Sequence, residues 1–203
     1  AAPRRVSYAS EEEAAWLTTS SPEVIAWLHM VETVSFLALS TGRYQAAVRY
    51  ARLIMRTAGY PHRAEGTLFL AHARLEDEKA FFETAREANE LLPQHGRQED
   101  SPWFLLGRAL LFYKLGKDRP AQRAIKDFAA RTTGGAFFLV APVYHTPYLP
   151  VPPEPQHPWS LAHQAVYEAD GIILDTPDFA QWAEGFPEVR AAANAFQDKY
   201  GFE

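Results

Sequence analysis

Seven histidines (His29, His62, His72, His95, His145, His157 and His163) are the residues best suited to acid–base work or metal ligation in this chain. No pair stands in HExxH or HxH register, and nothing resembles a His/carboxylate ligand set on one helix. The nearest approach to a cluster is His145, His157 and His163 with Glu168 and Asp170. On a helix, His163 and Asp170 would share a face while Glu168 points elsewhere. That could be a metal-dependent or hydrolytic site beneath a loop; the preferred reading is a group of surface and half-buried polar residues. There is no cysteine, and therefore no thiol nucleophile, Cys-ligated zinc or disulfide. No G-x-S-x-G occurs, and Thr132-Thr133-Gly134-Gly135 lacks the strand-before, helix-after context of a nucleophile or phosphate loop. Glu11-Glu12-Glu13 after Ser10 reads as a capping box, where negative charge suits a helix N-terminus. The expectation is a non-enzyme with no catalytic residues, no metal and no cofactor.

One basic concentration remains: Arg43, Arg49, Arg52, Arg56 and Arg63. Arg49, Arg52 and Arg56 recur at helical spacing, so they share a face. No aromatic residues interleave with them as a nucleic-acid surface would require. A solvated outer face is the better reading, paired with Glu76-Asp77-Glu78 or with Glu83 and Glu87. The formal net charge of −5 also argues against nucleic acid as a partner.

The elements that must position these residues follow from composition and periodicity. At 203 residues and 47% hydrophobic, the chain fits one domain with a real core. No apolar run reaches the roughly 20 residues of a bilayer span, and no signal-like stretch opens the chain, so a cytoplasmic setting with no membrane span is expected. High Ala and Arg usage suggests a bacterial source. Ser21-Pro22, Ser101-Pro102 and Thr176-Pro177 each put a capping hydroxyl before a proline suited to a first helical turn. Helices are expected from near 10, 22, 62, 102, 119, 160, 177 and 187, with two more at about 44–57 and 77–92. No stretch before 135 alternates with period two. Seven of the 15 prolines lie between Pro142 and Pro158, so 136–159 is expected to be extended, with an irregular hairpin near 137–149.

The helices also repeat. Gly42, Tyr44, Ala47, Ala51 and Ile54 are echoed 34 residues on by Glu76, Glu78, Phe81, Ala85 and Ala88, and later by Gly116, Ala121, Ile125 and Phe128. Upstream, Val31, Ser35 and Ala38 match Glu65, Phe69 and His72, then Leu105, Ala109 and Phe112. Phe112-Tyr113-Lys114-Leu115-Gly116 with Ala121 and Phe128, and Gly42-x-Tyr44-x-x-Ala47, resemble the tetratricopeptide repeat (TPR) over about residues 28–135. The middle unit departs from the pattern: Glu76 replaces the turn glycine and Phe81 the small residue. An excess of six residues precedes the third unit, near Gln94–Gln98.

This resemblance implies an all-α fold of three TPR-like hairpins in a single domain 1–203. A lead-in helix would precede them (1–27), and an extended segment (136–159) and capping helices (160–203) would follow. It also implies a concave face lined by the first helix of each pair, here an apolar, aromatic groove. Glu32, Phe36, Leu70, Arg74, Trp103, Leu106, Leu110, Tyr113 and Lys114 would then bind a peptide or protein partner, and 136–153 could lie across that face. The charged carboxylate clamp of the family is absent. The expected function is a non-catalytic protein- or peptide-binding scaffold, with a subunit-interface module of a larger assembly, including a homo-oligomer, as the alternative.

Overall fold

The computed structural model describes residues 15–16, 19–57, 59–144 and 157–202. Ten helices, and no strand, are found among these residues: α1 (Pro22–Ser40), α2 (Tyr44–Met55), α3 (Ala64–Arg74), α4 (Glu78–Leu91), α5 (Pro102–Lys114), α6 (Asp118–Arg131), α7 (Gly135–Val140), α8 (Ser160–Leu174), α9 (Phe179–Glu184) and α10 (Pro187–Tyr200). Consecutive helices pair as α1/α2, α3/α4 and α5/α6, each across a three-residue turn.

The three turns are built alike. Gly42, Glu76 and Gly116 all take positive φ, at 75°, 60° and 65°. Around each, one amide reaches back three residues and the next reaches back five: Gly42 to Leu39 and Arg43 to Ala38, Glu76 to Ala73 and Asp77 to His72, Gly116 to Tyr113 and Lys117 to Phe112. This is the hydrogen-bond pattern of a Schellman ending. Glu76 adopts the glycine conformation against its side-chain preference, and Asp77 then caps α4 by accepting from the Ala80 amide at 3.0 Å. The six extra residues are not confined to the turn near Gln94. The helices α4 and α5 have 14 and 13 residues where α2 and α3 have 12 and 11, and the 3₁₀ turns Pro93–His95 and Gln98–Asp100 supply the rest.

Of the three expected serine/threonine caps, Ser21 accepts from the Val24 amide at 3.3 Å. Ser101 makes no side-chain cap bond. Thr176 instead donates to the Ile172 carbonyl at 2.8 Å, closing the end of α8, and α9 begins only after Asp178, at φ 63°.

The start of 136–159 is helical, not extended. Gly134 turns the chain at φ 79°, and α7 then buries Phe137, Phe138 and Leu139 among α6, α8 and α10. Burial of three large side chains on a single turn outweighs the local strand preference of the run. Pro142–Tyr144 is a 3₁₀ turn, and 145–156, with His145 and most of the proline run, lies outside the described residues. An aromatic cluster closes this end: Phe137 and Phe138 each approach Phe196 and Phe202 with centroids 5.2–5.9 Å apart, and Trp159 lies 5.5 Å from Phe138.

Helix α1 is 19 residues long with a mean hydropathy of 1.3, enough by length and composition to cross a bilayer. One of its sides is committed to the protein: Leu28, Val31, Ser35, Ala38 and Leu39 are buried, and the helix contacts α2, α3 and α8.

Candidate functional site

The first helices α1, α3 and α5 are neighbours in one layer, and α8 lies against all three. The expected peptide groove is therefore occupied by the chain's own helix, and 136–144 is not its occupant. Leu70, Leu106 and Leu110 are fully buried, and Ala162, Ala165, Val166, Ala169 and Ile172 of α8 are buried with them in the core. Phe36 stacks on Tyr167 of α8 with centroids 6.4 Å apart. These residues line the face they were assigned to, but as buried packing. The physical reason lies in α8: its small residues at one-turn spacing let it sit close to the layer beneath.

Polar groups fix α8 along its length. The Trp103 indole nitrogen donates to Glu168 Oε2 at 2.7 Å, and Gln164 donates to the other oxygen at 2.7 Å. Arg74 donates through Nε to Asp175 Oδ2 at 2.7 Å, and its guanidinium stands 5.3 Å from the centre of the Tyr44 ring. That ion pair raises the Arg74 pKa further, while burial raises that of the Tyr44 phenol. The Tyr113 hydroxyl donates to the Pro177 carbonyl at 3.2 Å, and its ring lies 5.3 Å from Phe179 and 4.8 Å from Trp182. Trp103 is seated by Gly66: a Cβ there would lie 2.7 Å from the indole Cδ1. Lys114 is the exception among the nine. It pairs with Glu76 at 3.4 Å, in the turn between α3 and α4 of the preceding hairpin.

Glu32 belongs to a polar group that the sequence reading missed. Tyr60 donates to Glu32 Oε2 at 3.1 Å, and the Tyr60 ring stacks on His62 with centroids 6.3 Å apart. Beyond it, Glu65 is buried with His95 Nδ1 2.8 Å from Oε1 and His62 Nδ1 3.6 Å from Oε2. The Ala64 amide donates to His62 Nδ1 at 3.1 Å, and His95 is the closer of the two imidazoles to Glu65. Burial alone would raise the Glu65 pKa; the hydrogen bonds and charge of His62 and His95 outweigh it and hold the carboxyl well below its usual range. The group ties the start of α3 to the turn before α5. With all three side chains almost wholly enclosed, it offers no approach for a substrate. His62 and Glu65 are one helical turn apart, a visible spacing, but His95 comes from 30 residues downstream, so no local pattern announces the set.

The His/carboxylate cluster near the proline run does not assemble among the described residues. His163 is buried edge-on against Phe138 with centroids 4.7 Å apart, and Nε2 stands 3.3 Å from the Tyr144 carbonyl. Glu168 is committed to Trp103, and no three His, Asp or Glu side chains among the described residues are placed to hold a metal. The arginine face follows the solvated reading, with Arg56 bidentate to Glu87 Oε1 at 2.9 and 3.0 Å.

Among the described residues, α1 carries a run of exposed apolar side chains. Val24, Trp27, Met30, Val34 and Leu37 follow one another at intervals of three and four residues, each 39–58% exposed. No family model, curated protein or solved structure matches this chain.

Proposed function

We propose that the chain is a non-catalytic protein-binding scaffold whose working surface is the exposed face of α1. The observation that supports this most is the stripe from Val24 to Leu37, five large apolar side chains left partly in water on one helix. Contiguous apolar surface of this kind marks interaction sites more often than scattered apolar residues do. In this reading the nine concave-face positions serve the scaffold from within, chiefly as the seat of α8, and the stack presents its free end to a partner.

The test is retention on immobilised protein. Wild type is compared with a Trp27→Ser, Leu37→Ser double variant whose circular dichroism and melting temperature match. Both substitutions are on exposed positions, so stability should move by no more than ~0.5 kcal/mol. The expected outcome is a protein retained by wild type and released by the variant. Equal retention by the two would remove α1 from the function.

A further inference from the structure

Resting on the reading of α1 as the working surface, we propose that its occupant is the same face of a second copy of this chain, packed antiparallel about a two-fold axis beside Met30. Three observations converge on this. The first is charge. From Pro22 to Gly42 there is no Lys or Arg; the only ionisable groups besides His29 are Glu23, at the N-terminal end, and Glu32, hydrogen-bonded to Tyr60. An interfacial membrane helix would carry basic residues on its polar face. A transient protein interface has a polar rim, whereas homodimer interfaces are more apolar throughout. On a chain of net charge −5, an uncharged face is also where a copy can approach without meeting its own charge.

The second observation is register. The stripe is symmetric about a point just past Met30: reversing the helix places Val24 opposite Leu37 and Trp27 opposite Val34. A two-fold interface must be self-complementary in this sense, with each contact made twice. Here each pairing sets a larger side chain against a β-branched one, and Met30 lies beside the axis, next to its own copy. The adaptable thioether suits that position.

The third is area. Five half-exposed side chains of these sizes offer roughly 400–500 Å² per copy, so the pair would bury about 800–1,000 Å² in total, near the lower limit of specific association. An area of this size suits a reversible dimer in place of an obligate one.

The experiment uses the whole chain. Sedimentation velocity from 1 to 200 μM should show wild type passing from monomer to dimer, and Met30→Glu should raise the dissociation constant at least tenfold with unchanged circular dichroism. Because the chain has no cysteine, single substitutions report the register directly. Met30→Cys should form a disulfide dimer on mild oxidation. Val24→Cys mixed with Leu37→Cys should yield the mixed dimer over either homodimer, and Gln122→Cys on α6 should give none. A monomer at every concentration overturns the proposal, as does a dimer indifferent to Met30→Glu. In either case, binding of an unrelated protein or of phosphatidylcholine/phosphatidylserine vesicles that Met30→Glu abolishes would keep α1 as the working surface with a different occupant. Absence of all of these removes both readings.

Discussion

Substituting Gly66 by Ala sets two effects of opposite sign against each other, and the geometry decides between them. Gly66 lies in α3, where Ala is ordinarily the better helix former by about 0.5–1 kcal/mol. The added Cβ would stand 2.7, 2.8 and 2.9 Å from Cδ1, Cγ and Nε1 of Trp103, all closer than such contacts allow. The indole has little room to retreat. It is 2% exposed, and moving it stretches the 2.7 Å bond to Glu168, which as a hydrogen bond to a charged group is worth ~1.5–3 kcal/mol. Overpacking of a tight core costs ~1–3 kcal/mol, so Gly66→Ala should come out destabilised by about 1–2 kcal/mol net. In a Trp103→Leu background the obstruction is gone and the same substitution should be neutral or stabilising, giving a coupling free energy of about 2 kcal/mol. Urea denaturation followed by circular dichroism at 222 nm measures all four corners of the cycle. Equal or greater stability of Gly66→Ala in the wild-type background would refute the seating of Trp103 on α3, and with it the pinning of α8 through this residue.

Other outcomes follow from single features. Glu76→Gly should stabilise the protein by about 0.5–1 kcal/mol by relieving a left-handed non-glycine residue, less the small contribution of the half-buried Lys114 pair; thermal melts read the sign. Burial, and then the Arg52 charge, push the His72 pKa from 6.5 down to about 4, with Asp77 acting in the opposite direction. The unfolded chain therefore takes up this proton first, and stability contributed above pH 6.5 is lost as the pH falls toward 4, by at most ~3 kcal/mol. A His72→Leu variant should show a flatter profile across that window, and an unchanged slope would assign the acid sensitivity elsewhere. Asp175→Asn, cutting a pair whose side chains are 28% and 52% exposed, should cost under ~1 kcal/mol and less still in 0.5 M salt.

The helical hairpins were legible because each rests on local chemistry: Ser21 before Pro22, the glycine after α1 and after α5, and small residues such as Ala47, Ala51, Ala85 and Ala121 where helices meet. Even the weak middle unit follows the same path, since Glu76 bends as Gly42 and Gly116 do and makes the same two backbone bonds. Tertiary context took over in two places. In the run Ala136–Val140, local preference pointed to a strand, while burial among four neighbouring helices made a helix. The buried His62–Glu65–His95 group joins residues too far apart in sequence for any spacing rule.

The face formed by α1, α3 and α5 shows how a helical pattern can still mislead about a site. Every position from Phe36 to Tyr113 singled out as groove-lining meets α8 or the segment just after it, or is buried in the layer beneath. What the pattern cannot encode is the occupant. Helix α8 carries Ala162, Ala165 and Ala169 toward that layer and sets Glu168 and Asp175 to meet Trp103 and Arg74, a match between residues 65 and 101 positions apart. An apolar groove and an amphipathic helix in one chain find each other at high effective concentration, and an external partner would have to displace a helix that is also packed on α5 and α7. With that face filled from within, the apolar side chains left partly in water on one described helix are those of α1, among them Trp27, Met30 and Leu37.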